Sequence, residues 1–152
     1  MVDSSGRGRR AARLGADIEL FYFAYRAFTA GADALLAARG LGRVHHRVLY
    51  FVGRNPDLAV HELLQILAVS KQALHAPLRA LLAAGLVQAR PDARDRRLRR
   101  LRLSPAGRRL EARLSATQSR QLERVFAGAG GAARLHWRRV MRAISGTTAA
   151  AG

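Results

Sequence analysis

The chain has 152 residues, enough for one ordinary domain with a buried core, and its 49% hydrophobic content argues against a disordered protein. Lys plus Arg total 27 against 10 for Asp plus Glu, leaving a net charge of +17, a self-repulsion that a polyanion such as nucleic acid relieves. The absence of cysteine excludes disulfides, thiolate zinc sites and thiol redox chemistry, and no uncharged apolar run approaches the ~18 residues of a membrane span.

Residues 1–15 are polar, Gly-rich and basic, with Arg7, Arg9, Arg10 and Arg13, and are expected to form a flexible arm. Asp17 and Glu19 fall where a signal peptide needs an apolar stretch, so a cytoplasmic protein with no membrane partner is expected. Residues 17–38 read as an amphipathic helix ended by Gly40. Its apolar face is Ile18, Phe21, Tyr22, Tyr25, Phe28, Ala32 and Leu36. Five of the chain's nine aromatic residues lie between Phe21 and Phe28, an apolar load that needs cover from the domain or from a second subunit.

A second helix is expected over 42–53, with Val44, Val48, Leu49 and Val52 inward, followed by an Asn55-Pro56-Asp57 turn. A third covers 60–67, with Val60, Leu63, Leu64 and Leu67 on one face. After the tight Ala68-Val69 connection, Ser70 is placed to cap a fourth helix that runs towards Gly85. Two short helices so joined form a helix-turn-helix signature. Pro77 lies in the fourth helix, where a proline removes a hydrogen bond and crowds the carbonyl of Ala73. A kinked but continuous helix is the expectation.

Past Gly85 the period changes from helix to strand. Residues 86–90 read as one strand, 91–96 as a charged turn, and Leu98, Leu101 and Leu103 as a return strand. Ser104 and Pro105 then open a helix to about Ala127, Ser as cap and Pro in the first turn. A glycine break at 128–131 precedes a last helix over 132–145 with Leu135, Trp137, Val140, Met141 and Ile144. Residues 147–152 are expected to be a loose tail. The fold class is therefore mainly α with a small β-hairpin wing, in one domain over 16–146.

The GAGGAA run at 128–133 has the spacing of a dinucleotide fingerprint, yet it follows a helix and lacks a βαβ unit, so it reads as a helix-helix turn. His45, His46, His61, His75 and His136 include no i, i+4 pair, and adjacent helical residues do not share a face, so no metal site is expected. With no nucleophile-base pair and no clustered carboxylates, the protein is expected to be neither an enzyme nor a cofactor binder.

The hairpin carries the sharpest signal. Arg90 to Arg102 contains Arg90, Arg94, Arg96, Arg97, Arg99, Arg100 and Arg102 with Asp92 and Asp95, a net of +5 in thirteen residues. Such a run is usually a solvated face; on a wing beside a reading helix, it suits the narrow minor groove. Asp95 among arginines would repel phosphate, and a charge-assisted pair that orients Arg97 accounts for it.

The order of elements and the run GLVQARPDARDRRLRRLRLSPAGRRL resemble the MarR family of winged helix-turn-helix transcription regulators. Gly85-Leu86-Val87 matches the family's run after its recognition helix. Asp95-Arg96-Arg97 matches its Asp-x-Arg wing motif. Leu103-Ser104-Pro105-Ala106-Gly107 matches its Leu-Thr-x-x-Gly helix start, with Ser for Thr. The resemblance implies dimerisation helices at 17–40 and 104–146, a DNA-binding lobe at 42–103 and a wing at 86–103. It further implies a homodimer on double-stranded DNA, with repression relieved by a small aromatic ligand. Phe21, Tyr22, Tyr25 and Phe28, with His45, are the candidates for a ligand pocket; building the dimer core suits the aromatic residues equally well.

Leu74, Leu78, Leu81 and Leu82 take the inward side of the fourth helix, which leaves Lys71, Gln72, His75, Ala76 and Arg79 outward. Gln suits adenine, Lys guanine or phosphate, and Arg phosphate. The candidate DNA contacts are Ser70, Lys71, Gln72, His75 and Arg79, with Arg94, Asp95, Arg96, Arg97 and Arg99 on the wing. The alternative is an architectural protein that binds nucleic acid by charge alone.

Overall fold

Local signals set most element ends. The computed structural model describes residues 4–146, and the tail expected at 147–152 lies outside them. Helix α1 spans Ser4–Ala37, α2 Arg43–Arg54, α3 Val60–Leu67, α4 Lys71–Ala83, α5 Pro105–Ala129 and α6 Ala133–Ser145. Strands β1 (Leu58–Ala59), β2 (Val87–Pro91) and β3 (Arg99–Leu103) form an antiparallel sheet in the order β1-β3-β2.

Two features depart from the sequence expectation. Helix α1 starts at Ser4 instead of near residue 17, so residues 4–15, taken as part of a flexible arm, are helical. Their arginines and alanines are good helix formers, and extending a helix that already exists costs far less than nucleating one. The second is β1. Two residues carry no periodicity, and the strand exists because Leu58 and Ala59 pair with Leu101 and Arg100 of β3.

The core lies where α1, α2, α4 and α5 meet the sheet. Ala32 and Leu36 of α1 pack with Val48, Leu49 and Val52 of α2, Leu63 of α3, Leu74 and Leu81 of α4, Leu101 and Leu103 of β3, and Leu110 and Leu114 of α5. Each such leucine, withdrawn from water, contributes about 1.5–3 kcal/mol. The first half of α1 behaves differently. Ile18, Phe21, Tyr22 and Phe23 remain more than half exposed, as do Val125 of α5 and Leu135, Val140 and Ile144 of α6.

Ser104 fastens α5 to the end of α4. Its hydroxyl accepts the Gly107 N–H at 3.0 Å and donates to the Gly85 carbonyl at 2.6 Å, while its own N–H donates to the Leu86 carbonyl. Gly85 takes φ +65°, the left-handed turn that ends α4 and aims the chain into β2.

Candidate nucleic-acid interface

Two adjacent elements carry the candidate contacts. Ser70 caps α4, its hydroxyl accepting the Ala73 N–H at 3.1 Å. Leu74 and Leu81 are fully buried, and this anchors the helix so that Lys71, Gln72, His75 and Arg79 point to solvent. The helix runs unbroken across Pro77, which settles continuity in favour of the expectation.

The wing tip is a built turn. Asp92 donates its N–H to the Leu98 carbonyl and accepts the N–H groups of Arg94 and Asp95 on Oδ1, at 2.8 and 2.9 Å. These bonds, led by the Asp95 N–H, together with the Arg100 guanidinium, hold the Asp92 carboxyl down to about 2. Asp95 accepts both the N–H and the Nε–H of Arg97, at 3.0 and 3.2 Å, which is the orienting pair anticipated from the sequence. Arg97 stays 91% exposed at its side chain, and Arg94, Arg96 and Arg99 are exposed with it.

The base of the hairpin is arranged otherwise. The register sets Arg90 opposite Arg100 and Gln88 opposite Arg102, on the sheet face away from Leu101 and Leu103. Arg100 donates Nε–H to Asp92 at 2.7 Å, and its Nη1 reaches the Asp57 carbonyl at 3.3 Å and Glu62 at 3.5 Å. Arg102 forms a two-pronged pair with the carboxylate of Asp57, which it holds below the usual carboxylate range. Two arginines of this face, Arg100 and Arg102, are thus met by Asp57, Glu62 and Asp92, whereas Arg90 at the base and the tip arginines stay exposed. Sequence reasoning gave none of these acids a partner on the hairpin; Glu62, three residues after Ala59, carries the local signal of a cap, and it does accept the Ala59 N–H at 2.7 Å.

The five candidate pocket residues have different surroundings. Phe21 borders an open cleft of about 710 Å³ with Trp137, Arg138, Met141 and Arg142 of α6, and that cleft is not lined by the other four. Tyr22 packs edge-on to Phe23. Tyr25 accepts a hydrogen bond from Arg47 and lies under the Arg43 guanidinium, and Phe28 is half-buried. His45 has a local duty, accepting the Gly42 N–H on Nδ1 at 3.0 Å at the start of α2. His46 is half-buried between α1, α2 and α5, and burial pushes its imidazole below the ordinary value. Among the described residues, no group of three potential ligands converges on a metal position, and no helix is long and apolar enough to cross a membrane.

A capped helix of a helix-turn-helix, followed directly by an antiparallel hairpin with a cationic tip, defines a winged-helix DNA-binding protein. The chain belongs to the MarR family of transcriptional regulators. The MarR family model matches residues 39–98, from the approach to α2 through the wing tip. The HTH-type transcriptional regulator PetP of Rhodobacter capsulatus is 41% identical over 127 residues, 84% of this chain and 76% of that protein. In fold, the chain is similar to Streptococcus pneumoniae FabT crystallised in complex with DNA, with a TM-score of 0.77 and 14% identity over 89% of this chain and 96% of that one. It is also similar to a Mycobacterium tuberculosis MarR family protein crystallised with p-aminosalicylic acid, with a TM-score of 0.59 and 24% identity over 84% and 96% of the two chains.

Proposed function

We propose that this regulator reads a specific double-stranded DNA sequence as a homodimer, and that it is a repressor released by a small aromatic ligand. The observation that carries DNA reading is the pairing of an exposed α4 turn, Lys71, Gln72 and His75, with a wing tip that exposes four arginines, of which Arg97 is oriented by Asp95. The α4 side chains have the donor and acceptor patterns that discriminate base edges, and the arginines match phosphate or a narrow minor groove.

Dimerisation is supported by the exposed apolar residues of α1, α5 and α6, since large apolar side chains left in water over several elements mark an interaction surface. Two copies would present two reading helices, which suits an operator with repeated half-sites. Ligand release draws support from the aromatic acid held by the M. tuberculosis relative. In this chain, Arg43 and Arg47 beside Tyr25 offer an aromatic carboxylate both a cation and a ring.

Competition between a duplex selected from a random pool and a scrambled duplex tests the reading. Gln72→Ala is expected to lower the discrimination between them by about tenfold, equivalent to one lost base contact. Arg97→Ala is expected to weaken binding to both alike. Equal affinity of the wild-type protein for all duplexes, lost steeply with salt, would replace this function with charge-driven architectural binding.

A further inference from the structure

The hairpin has two electrostatic halves. At the tip, Arg94, Arg96, Arg97 and Arg99 are exposed. At the base, Arg100 is two-thirds withdrawn from solvent, and its guanidinium is shared among three separate parts of the chain. Asp92 belongs to the wing turn, Glu62 to the first turn of α3, and the Asp57 carbonyl to the loop before β1. Asp92 is itself the residue that shapes the turn, through the N–H groups of Arg94 and Asp95. One side chain therefore links the turn that carries the tip arginines to the helix-turn-helix that carries α4.

We infer that Arg100 is a positioning residue for DNA binding: it clamps the wing, through Asp92, to the α3 end of the helix-turn-helix, and does not itself neutralise phosphate. The need for a clamp follows from packing. Leu101 and Leu103 of β3 are buried, but between Asp92 and Leu98 no side chain is buried, and Leu98, the one large apolar residue there, is only half-buried. Without an ionic tie, the turn would be held to the rest of the lobe only by its strand ladder and its own local hydrogen bonds, and a contact displaced by about 1 Å loses most of its worth. A planar fork can hold several acceptors at fixed angles; an ammonium cannot. The inference rests on the reading that α4 and the wing touch the same DNA.

The test exploits opposite signs. Asp92→Asn keeps an acceptor for the two turn N–H groups but removes the negative charge that holds Arg100. If Arg100 and Asp92 acted only by charge, losing an acid from a DNA-binding hairpin would raise affinity. The clamp instead lowers it, by about tenfold for a duplex selected by the wild-type protein, with the salt dependence unchanged. Arg100→Lys preserves the charge and breaks the fork, so the clamp predicts a similar loss, whereas a phosphate contact predicts little change. The double variant should be no worse than either single one. Arg100→Gln should lower affinity without reducing the slope of log affinity against log salt; a slope reduced by about 0.9 would mark a direct phosphate contact and overturn the inference. Tighter binding by Asp92→Asn would also overturn it. Arg97→Gln separates the two levels: if it changes neither affinity nor slope, the wing does not touch DNA, and both the DNA reading of the wing and the clamp fail. If Arg97→Gln weakens binding while Arg100→Lys does not, the clamp alone fails. Thermal melting of each variant establishes that it is folded at the assay temperature.

Discussion

Gly107 is where one atom decides the packing of a helix. A Cβ at this position would sit 1.9 Å from the Leu86 carbonyl oxygen and 2.9 Å from its carbon, so the first turn of α5 lies directly on the backbone that leaves α4. The obstacle is main chain, already engaged by the Ser104 N–H, and it cannot swing aside. Gly107→Ala should therefore destabilise the fold by about 2–4 kcal/mol, read as a lower urea midpoint. An unchanged midpoint would mean that the close approach is not there. The same contact explains why a helix start of the form Leu-Ser-x-x-Gly was recognisable. Ser caps and ties, and Gly lets the tie be short. Asp57 shows the opposite case. Its φ of +66° and its pairing with Arg102, 45 positions away, leave no local mark beyond an ordinary Asn-Pro-Asp turn.

At the scale of elements, α4 combines a clear helical signature with a proline that contradicts it. Ser70 caps the start, Gly85 closes the end, and Leu74 and Leu81 are buried on either side of Pro77. Packing therefore supplies what the missing hydrogen bond removes. Restoring the N–H and relieving the ring against the Ala73 carbonyl should make Pro77→Ala more stable by about 1–2 kcal/mol, after allowance for the greater freedom of its unfolded chain. A thermal midpoint at or below that of the wild type would refute strain at this site. The other helices were legible to within a few residues because caps, glycines and a 3.6-residue period agree in them. Helix α1 was not, since Gly8 and Gly15 and a polar composition resemble an arm, while the helix propagates through them from the packed segment around Ala32 and Leu36. Strand β1 was invisible because its stability lies wholly in its partner strand.

Across the whole molecule, the apolar surface is unequally placed. The winged-helix lobe leaves its leucines buried or half-buried, whereas Ile18 on α1 and Ile144 on α6 remain 72% and 63% exposed. A substitution there costs a monomer little, because the side chain gains no burial on folding. If the face is covered by a second copy, each substitution is doubled by symmetry, and a carboxylate has to be desolvated on both sides. Ile18→Asp combined with Ile144→Asp should thus convert a dimer into a folded monomer in sedimentation and weaken DNA binding through the lost second half-site. A sedimentation profile identical to that of the wild type would assign the face another role. The +17 charge gains meaning only at this scale as well. Part of the hairpin's share is met within the protein, by Asp57, Glu62 and Asp92, and most of the remainder stands at the tip.

The amino-acid order alone determined the helix-turn-helix, the hairpin after it, the cap at Ser104 and the outward set on α4. Each depends on neighbours within a few residues, where period and capping chemistry act. The tertiary structure alone decided which hairpin arginines are free and which are bound. That partition depends on β1 pairing with β3, and so on bringing Asp57 and Glu62 across some 40 residues of chain to Arg100 and Arg102. Charge is written locally in a sequence, but its compensation is set by distance in space.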